Sequence, residues 1–192
     1  MGNTVVYKPS GISAVTGRLM AEAFRDAGLP DGVLNYVPGR GGVIGDFLVD
    51  HPGISLIAFT GSMEVGCRIL ERAARVHPGQ TFIKRVVCEM GGKNAIVVDE
   101  DADFDEAIPG ILYSAFGFQG QKCSACSRLI VPDSIHDALV QRLINAAGAL
   151  SVGPAENPHH TMGPVADAAA QRDILAFVEA AKSEGTIAFQ GR

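Results

Sequence analysis

The 192-residue sequence lacks the features that mark several classes of protein. No apolar run is long enough to span a bilayer, which argues against a helical membrane protein. The formal net charge of −5 argues against a general surface for nucleic acid or anionic membranes. Residues 1–5 lack the basic and apolar regions of a secretion signal. We therefore expect a cytoplasmic location, or the mitochondrial matrix if the source is eukaryotic.

The sequence also has few cysteines. Four in a chain of this length do not suggest a disulfide scaffold. Cys123 and Cys126 have a Cys-x-x-Cys spacing, but no second pair completes a zinc site. The His-His pair at residues 159–160 has no third ligand nearby in sequence, so we predict no metal site. Cys67, Cys88 and Cys126 are interpreted as packing residues in a reducing compartment.

Hydrophobic residues make up 47% of the chain, which is enough for a substantial core. Short β-branched runs alternate with segments of helical periodicity. The alternation predicts an α/β fold, with parallel βαβ units in an open, doubly wound sheet. Strands are predicted at residues 4–7, 33–37, 54–59, 82–88, 94–98, 128–131 and 186–189. Helices are predicted at residues 15–27, 43–49, 64–76, 101–116, 132–149 and 165–183, with Pro109 bending or dividing the fourth.

Three turns in the first half of the chain follow the predicted carboxyl ends of strands, where open α/β sheets bind ligands. Lys8 offers an ammonium, Gly39 allows close approach to a flat ligand, and residues 60–62 offer N–H groups at a helix N-terminus. Each turn also has an ordinary interpretation, as a solvated lysine, a turn glycine and an N-cap serine. No Gly-x-Gly-x-x-Gly fingerprint is present, so spacing alone leaves these alternatives open.

A cysteine and a glutamate are the candidate catalytic residues. Cys123 lies in a polar, glycine-containing segment before the apolar run at residues 129–131. Glu89 ends a β-branched run and is followed closely by a pair of glycines at residues 91–92. A thiol nucleophile and a carboxylate base, each at the end of a strand or helix, suggest covalent catalysis with base-assisted turnover. Taken alone, either residue is more often structural than catalytic.

The residues around both candidates resemble the two active-site signatures of the aldehyde dehydrogenase superfamily. These are Glu-Met-Gly-Gly-Lys at residues 89–93 and Gly-Gln-Lys-Cys at residues 120–123. The resemblance implies that Cys123 attacks the aldehyde carbonyl and that Glu89 activates the water that hydrolyses the thioester. It also implies two domains, with a seam at the glycine pair. Residues 1–90 would be the C-terminal part of the NAD(P)-binding domain, and residues 91–192 the N-terminal part of the catalytic domain.

The same resemblance implies NAD as the cofactor. The segment Phe59–Gly66 is similar to the one that contacts the dinucleotide pyrophosphate, and Lys8 matches a lysine that bonds the adenine ribose. Many family members have an acidic residue shortly after the Lys-Pro pair, but here Ser10 is followed by a glycine. NADP therefore stays an alternative. The implied cofactor-binding residues are Lys8, Ser10, Gly39, Thr60, Gly61, Ser62, Val65 and Gly66.

Residues 77–85 and 120–128 resemble, more narrowly, the members that oxidise L-glutamate γ-semialdehyde to L-glutamate in proline degradation. In those members the serine after the cysteine lies beside the substrate, so Ser124 is an implied substrate contact. The implied partners are a small-molecule aldehyde and, for the full-length enzyme, further copies of itself in a homo-oligomer. No nucleic-acid or membrane partner is implied.

Because members of this family are much longer, we expect the chain to be an internal fragment. The family's oxyanion asparagine would lie upstream and its Glu-x-Phe-Gly-Pro segment downstream, so we expect weak activity or none from these residues alone. Two alternatives stay open. One is a dehydrogenase for another small carboxylated semialdehyde, and the other is a truncated, non-catalytic fragment that binds a nucleotide or a partner protein.

Overall fold

The computed structural model describes residues 2–191, which divide into two compact units. The first unit ends at Met90 and the second begins at Gly91. The first contains, in order, β1 (Val5–Tyr7), α1 (Ala14–Asp26), β2 (Leu34–Tyr36), a π-helical turn (Gly41–Gly45), α2 (Asp46–Asp50), β3 (Leu56–Thr60), α3 (Met63–Ala73) and β4 (Arg85–Glu89). The second contains β5 (Asn94–Val97), α4 (Phe104–Phe116), a 3₁₀ turn (Gly117–Gly120), β6 (Cys126–Ile130), α5 (Asp133–Gly148) and α6 (Ala168–Ala181). No helix within residues 2–191 has the length and apolar character needed to cross a membrane.

The strand pairs of residues 2–191 are all parallel, which confirms the predicted α/β class. β1 pairs with β2, β3 with β4 and β5 with β6, in three separate ladders rather than one continuous sheet. Each crossover between paired strands contains a helix, as parallel strands require. Local periodicity identifies a strand but not its neighbours, so the pairing could not be predicted from the sequence.

The core of the first unit lies between the β3–β4 pair and helices α2 and α3. Its buried residues are Val49, Ile69 and Ala73, with Ile57, Phe59 and Val86 packed against them. Successive side chains of a strand point to opposite faces. The alternate residues Leu56 and Val87 are consequently 57% and 51% exposed. Helices of the first unit therefore cover one face of this pair.

The core of the second unit centres on Leu139 of α5, which is fully buried. The buried residues around it are Val98, Ile108 and Ile111. Helix α4 begins where the Asp103 carboxylate accepts a hydrogen bond from the Asp105 N–H at 2.8 Å. The predicted division at Pro109 does not occur, and α4 continues through it. Pro109 removes a donor from the Asp105 carbonyl, but Asp105 is exposed in the first turn, where water can replace that donor.

The largest error of secondary-structure prediction lies near the end of the chain. Residues 186–189 carry the β-branched and aromatic residues typical of a strand, but they form none. The ring of Phe189 instead lies beside Gly148 of α5, where a Cβ would be 3.9 Å from it. Helix α6 also begins later than predicted, at Ala168, because the Asp167 carboxylate accepts a hydrogen bond from the Ala170 N–H at 2.8 Å and caps it there.

One lysine, Lys84, is buried in the first unit and only 7% exposed. Its ammonium donates hydrogen bonds to the carbonyl oxygens of Val49 at 2.7 Å and His51 at 2.6 Å, at the C-terminal end of α2. Carbonyls at a helix C-terminus lack intrahelical donors, so a cation there satisfies them and complements the helix dipole. Sequence reasoning missed this role, because nothing local distinguishes a buried lysine from a solvated one.

Burial lowers the pKa of Lys84 below its ordinary value of 10.5, and Asp50 opposes that shift. The folded chain therefore releases this proton at a lower pH than the unfolded chain does. Between the lowered pKa and 10.5 the unfolded state binds more protons, so the contribution of Lys84 to the free energy of unfolding rises with pH.

Replacing Lys84 by methionine is expected to lower the free energy of unfolding by about 2–3 kcal/mol at neutral pH, because two carbonyls lose a charged donor. Urea denaturation measures the change. The matched control is Lys182→Met, which replaces an exposed lysine directly after α6 that pairs with Glu179. This control should change the free energy by less than about 0.5 kcal/mol. Equal effects of the two substitutions would contradict a structural role for Lys84.

Candidate active site

The carboxyl ends of β3 and β4 meet at one edge of their sheet. The register places Thr60 opposite Glu89, and the Gly61 N–H donates to the Glu89 carbonyl oxygen at 3.0 Å. Glu89 is exposed at this edge. The structure thus brings the predicted base to the same edge of the sheet as two predicted cofactor residues, Thr60 and Gly61.

Helix α3 begins at the same edge, with Ser62 as its N-cap. The Ser62 hydroxyl oxygen accepts a hydrogen bond from the Val65 N–H at 3.3 Å, and its carbonyl oxygen accepts one from the Gly66 N–H at 2.9 Å. Ser62 is therefore an N-cap, and its role in binding a cofactor stays a prediction. The N–H groups of Met63 and Glu64 have no acceptor within the helix, and such groups favour an anion. The start of α3 is consequently suited to a phosphate group.

Two glycines allow α3 to lie close to the strand ends. A Cβ on Gly66 would lie 2.7 Å from the Met90 sulfur, and a Cβ on Gly61 would lie 2.4 Å from the Phe59 ring. Both distances are shorter than van der Waals contact, so a larger residue would displace its neighbour. The glycines therefore keep the first turn of α3 against the end of the β3–β4 pair.

The other predicted cofactor residues of this unit lie beyond the ends of β1 and β2. Lys8 is half-buried, and its ammonium donates to the Pro9 carbonyl oxygen at 2.9 Å. Ser10 is exposed. Gly39 lies against Ile44, whose Cδ1 would be 2.5 Å from a Cβ at that position. Because β1 and β2 are parallel neighbours, Lys8 and Gly39 lie beyond the same edge of their sheet. Their role in binding the cofactor stays a prediction.

Sequence reasoning missed Gly17, a buried glycine in the middle of α1. A Cβ on Gly17 would lie 2.9 Å from the Cβ of Pro9 and 3.1 Å from the Tyr7 hydroxyl oxygen. Gly17 therefore allows α1 to pack directly against the turn that carries Lys8. An isolated glycine inside a helical pattern was the signal that could have identified it.

Cys123 lies in an exposed turn just before β6, and Ser124 beside it is exposed as well. The Ala125 N–H donates to the Lys122 carbonyl oxygen at 3.2 Å and closes the turn. Asn94, at the start of β5, donates through Nδ2 to the carbonyl oxygens of Cys123 at 2.7 Å and Ala125 at 3.3 Å. The thiol is therefore accessible while its backbone is anchored to the sheet. The anchoring role of Asn94 could not be predicted from the sequence, which indicates only that this residue begins a strand.

The four cysteines are all reduced, and they differ in exposure. Cys67 on α3 is exposed, so its interpretation as a packing residue is wrong, whereas Cys88 and Cys126 are half-buried. Cys67 and Cys123 are thus the exposed thiols. Across residues 2–191, no three His, Cys, Asp or Glu side chains are grouped in a way that could hold a metal ion.

The turn that leads to Cys123 has an unusual backbone. Phe118, Gln119 and Gly120 have φ values of 55°, 57° and 67°. This left-handed region costs a residue other than glycine about 1–2 kcal/mol. The Phe118 side chain is 72% exposed, so its burial does not offset that strain. Backbone strain of this kind clusters at functional sites, but no sequence signal marks it, because neither phenylalanine nor glutamine favours left-handed backbone.

The sequence profile of the aldehyde dehydrogenase family matches residues 1–192. The chain therefore belongs to the aldehyde dehydrogenase family, as the resemblance of residues 89–93 and 120–123 predicted.

Particular members of the family are considerably similar to this chain. A curated 1-pyrroline-5-carboxylate dehydrogenase of Geobacillus sp. (strain WCH70) is 50% identical over 186 residues, which cover 97% of this chain and 36% of that protein. The solved structure of a Thermus 1-pyrroline-5-carboxylate dehydrogenase with bound NAD is 49% identical, with a TM-score of 0.91, over 95% of this chain and 35% of that one. Aldehyde dehydrogenase C of Pseudomonas syringae is 37% identical, with a TM-score of 0.88, over 95% of this chain and 36% of that one. The chain thus spans just over a third of the length of the curated relatives it matches.

Proposed function

We propose that the protein oxidises L-glutamate γ-semialdehyde, the open form of pyrroline-5-carboxylate, to L-glutamate with NAD, in proline degradation. The observation that carries this proposal is the difference in identity between two kinds of relative. The chain is about half identical to 1-pyrroline-5-carboxylate dehydrogenases, and clearly less similar to a family member solved with octanal. An exposed, anchored Cys123 and an exposed Glu89 at a strand end supply the groups that the reaction needs.

The first unit is proposed to bind the dinucleotide. We assign the pyrophosphate to the free N–H groups at the start of α3, next to Thr60 and Gly61, where the two close-packed glycines keep the helix end against the strands. By the family resemblance, Lys8 and Ser10 would bind the adenine ribose, and Gly39 and Val65 would lie beside the adenine. NADP stays an alternative, because no carboxylate follows Ser10 to repel a 2′-phosphate. Residues 1–90 are thus proposed as part of the cofactor domain.

The second unit, residues 91–192, is proposed as part of the catalytic domain. The Cys123 thiolate adds to the aldehyde carbon, forming a C–S bond, and the Cys123 N–H donates to the resulting oxyanion. When bound, NAD accepts the hydride that leaves this carbon. Glu89 takes a proton from the water that attacks the thioester, and the thiolate departs as the carboxylate product forms. Ser124 is placed next to Cys123 in sequence and would contact the substrate.

The assembly and the location of the protein are proposed from the family resemblance and the sequence. We propose that the complete polypeptide acts as a homo-oligomer and that it works in the cytoplasm. The composition supports the location, since four reduced cysteines suit a reducing compartment.

NADH formation by the complete polypeptide that contains these residues tests the proposed substrate. We expect kcat/KM for pyrroline-5-carboxylate to exceed that for octanal by about 100-fold or more, because octanal lacks the charged groups that a dedicated site would bind. Similar values for the two aldehydes would contradict the proposal. A higher value with succinate semialdehyde would favour the dehydrogenase of another carboxylated semialdehyde.

A further inference from the structure

The left-handed turn at residues 118–120 is tied to a second loop of the same unit, residues 163–166. The Gln121 side-chain oxygen accepts a hydrogen bond from the Ala166 N–H at 3.0 Å. In the amide orientation that satisfies its neighbours, Gln119 accepts from the Gly163 N–H at 3.2 Å and donates to the Phe118 carbonyl oxygen at 3.0 Å. Two glutamine side chains therefore connect the segment before Cys123 to this loop.

These contacts explain how the turn keeps its unfavourable backbone. Phe118 and Gln119 are residues for which positive φ is strained, and the exposed Phe118 ring does not hold the turn by packing. Strained backbone persists only where the surrounding structure imposes it. The bonds to Gly163 and Ala166 supply such a constraint from outside the turn.

The backbone of Cys123 is consequently held on both sides. Asn94 bonds the Cys123 carbonyl oxygen at 2.7 Å on the side that leads into β6. Gln121 lies two residues before Cys123, on the side that leads from the strained turn. A nucleophile whose own N–H stabilises an oxyanion depends on the direction of its backbone, since a displacement of about 1 Å can lower a rate by about 100-fold.

We propose that Gln121 is a positioning residue for Cys123. By bonding Ala166 it keeps residues 118–120 left-handed, and this conformation sets the direction of the Cys123 thiol and N–H. Gln119 stabilises the same conformation through its hydrogen bond with the Gly163 N–H. The inference rests on the proposed function, in which Cys123 is the nucleophile.

The test compares Gln121→Met, which removes the acceptor oxygen, with Gln121→Glu, which keeps one. The first measurement is the iodoacetamide alkylation rate of Cys123 relative to that of Cys67, the other exposed thiol, by peptide mass spectrometry. Cys123 should react first in the unchanged protein. Gln121→Met should lower the Cys123/Cys67 ratio by about threefold or more, because a released turn no longer presents the thiol in one direction. Gln141→Met, at an exposed glutamine of α5 that bonds Asn145, is the matched control and should leave the ratio unchanged.

The second measurement is the kinetics of pyrroline-5-carboxylate oxidation. Gln121→Met should lower kcat by about 10–100-fold and leave KM for NAD within about twofold, and Gln121→Glu should restore kcat. Unchanged kcat in Gln121→Met, or an equal loss in Gln121→Glu, would overturn the proposal. The alkylation ratio can be measured without catalysis, so it tests the role of Gln121 independently of the proposed oxidation of pyrroline-5-carboxylate. A protein that does not oxidise pyrroline-5-carboxylate, but whose ratio still falls in Gln121→Met, would contradict the proposed function and support the role of Gln121.

Discussion

Serine in place of Cys123 is expected to lower kcat for semialdehyde oxidation by roughly 10⁴-fold or more, a loss comparable with removal of other enzymatic nucleophiles. A serine hydroxyl stays protonated near neutral pH, whereas a thiol supplies a reactive thiolate. Without the C–S bond, the enzyme-bound hemithioacetal from which the hydride leaves does not form. Steady-state NADH formation by the complete polypeptide measures the effect. The substitution should leave the fold intact, because Cys123 is exposed and its anchoring hydrogen bond involves only its backbone.

The matched control for this experiment is Cys67→Ser. Cys67 is equally a free, exposed thiol, but it lies on α3 of the first unit. Its replacement should leave kcat within about twofold of the unchanged protein, as expected for a surface substitution. If Cys123→Ser retains more than about a tenth of the activity, or if Cys67→Ser causes the larger loss, Cys123 is not the nucleophile.

Replacing Glu89 by glutamine is expected to separate the two halves of the reaction. The amide has the shape of the carboxylate but cannot take a proton from water, so steady-state turnover should fall by about 10²–10⁴-fold. The first turnover should persist, because formation of the thioester does not need this base. The Gly61 N–H bonds the Glu89 backbone carbonyl rather than its carboxylate, so the strand pairing should be retained. Rapid mixing should show a burst of NADH followed by slow turnover.

Glu71→Gln provides the comparison for Glu89. Glu71 is an exposed glutamate on α3 of the same unit, and its carboxylate pairs with Arg75 just beyond the end of that helix. Its replacement should change neither the burst nor the steady state. Loss of the burst together with steady-state turnover in Glu89→Gln would show that Glu89 acts before hydride transfer, contrary to the proposed role.

Much of the secondary structure was predictable because its signals are local. Helix α3 begins at a serine N-cap, and its apolar residues recur with helical periodicity. Strand β3 is a short apolar run that ends in a turn. The position of Glu89 at the end of a strand and that of Cys123 in a turn could also be recognised, because the family signature around each residue is a short continuous segment. What could be predicted was therefore the part of the molecule that short segments determine by themselves.

The features that the sequence did not reveal depend on distant contacts. Lys84 is buried because carbonyls at residues 49 and 51 receive its ammonium. The left-handed backbone at residues 118–120 coincides with a hydrogen bond between Gln121 and Ala166, which lies 45 residues further along the chain. The strand predicted at residues 186–189 fails for a related reason, because β-propensity needs a neighbouring strand to be realised.

Trapping the acyl intermediate on Cys123 tests most directly whether Cys123 is the nucleophile that oxidises the semialdehyde. The Glu89→Gln protein is mixed with pyrroline-5-carboxylate and NAD, quenched in acid and digested, and the peptides are weighed by mass spectrometry. We expect a glutamyl thioester on the Cys123 peptide that forms only when NAD is present. An adduct on the Cys67 peptide, or no adduct although NADH has formed, would contradict the assignment of Cys123 as the nucleophile of this reaction.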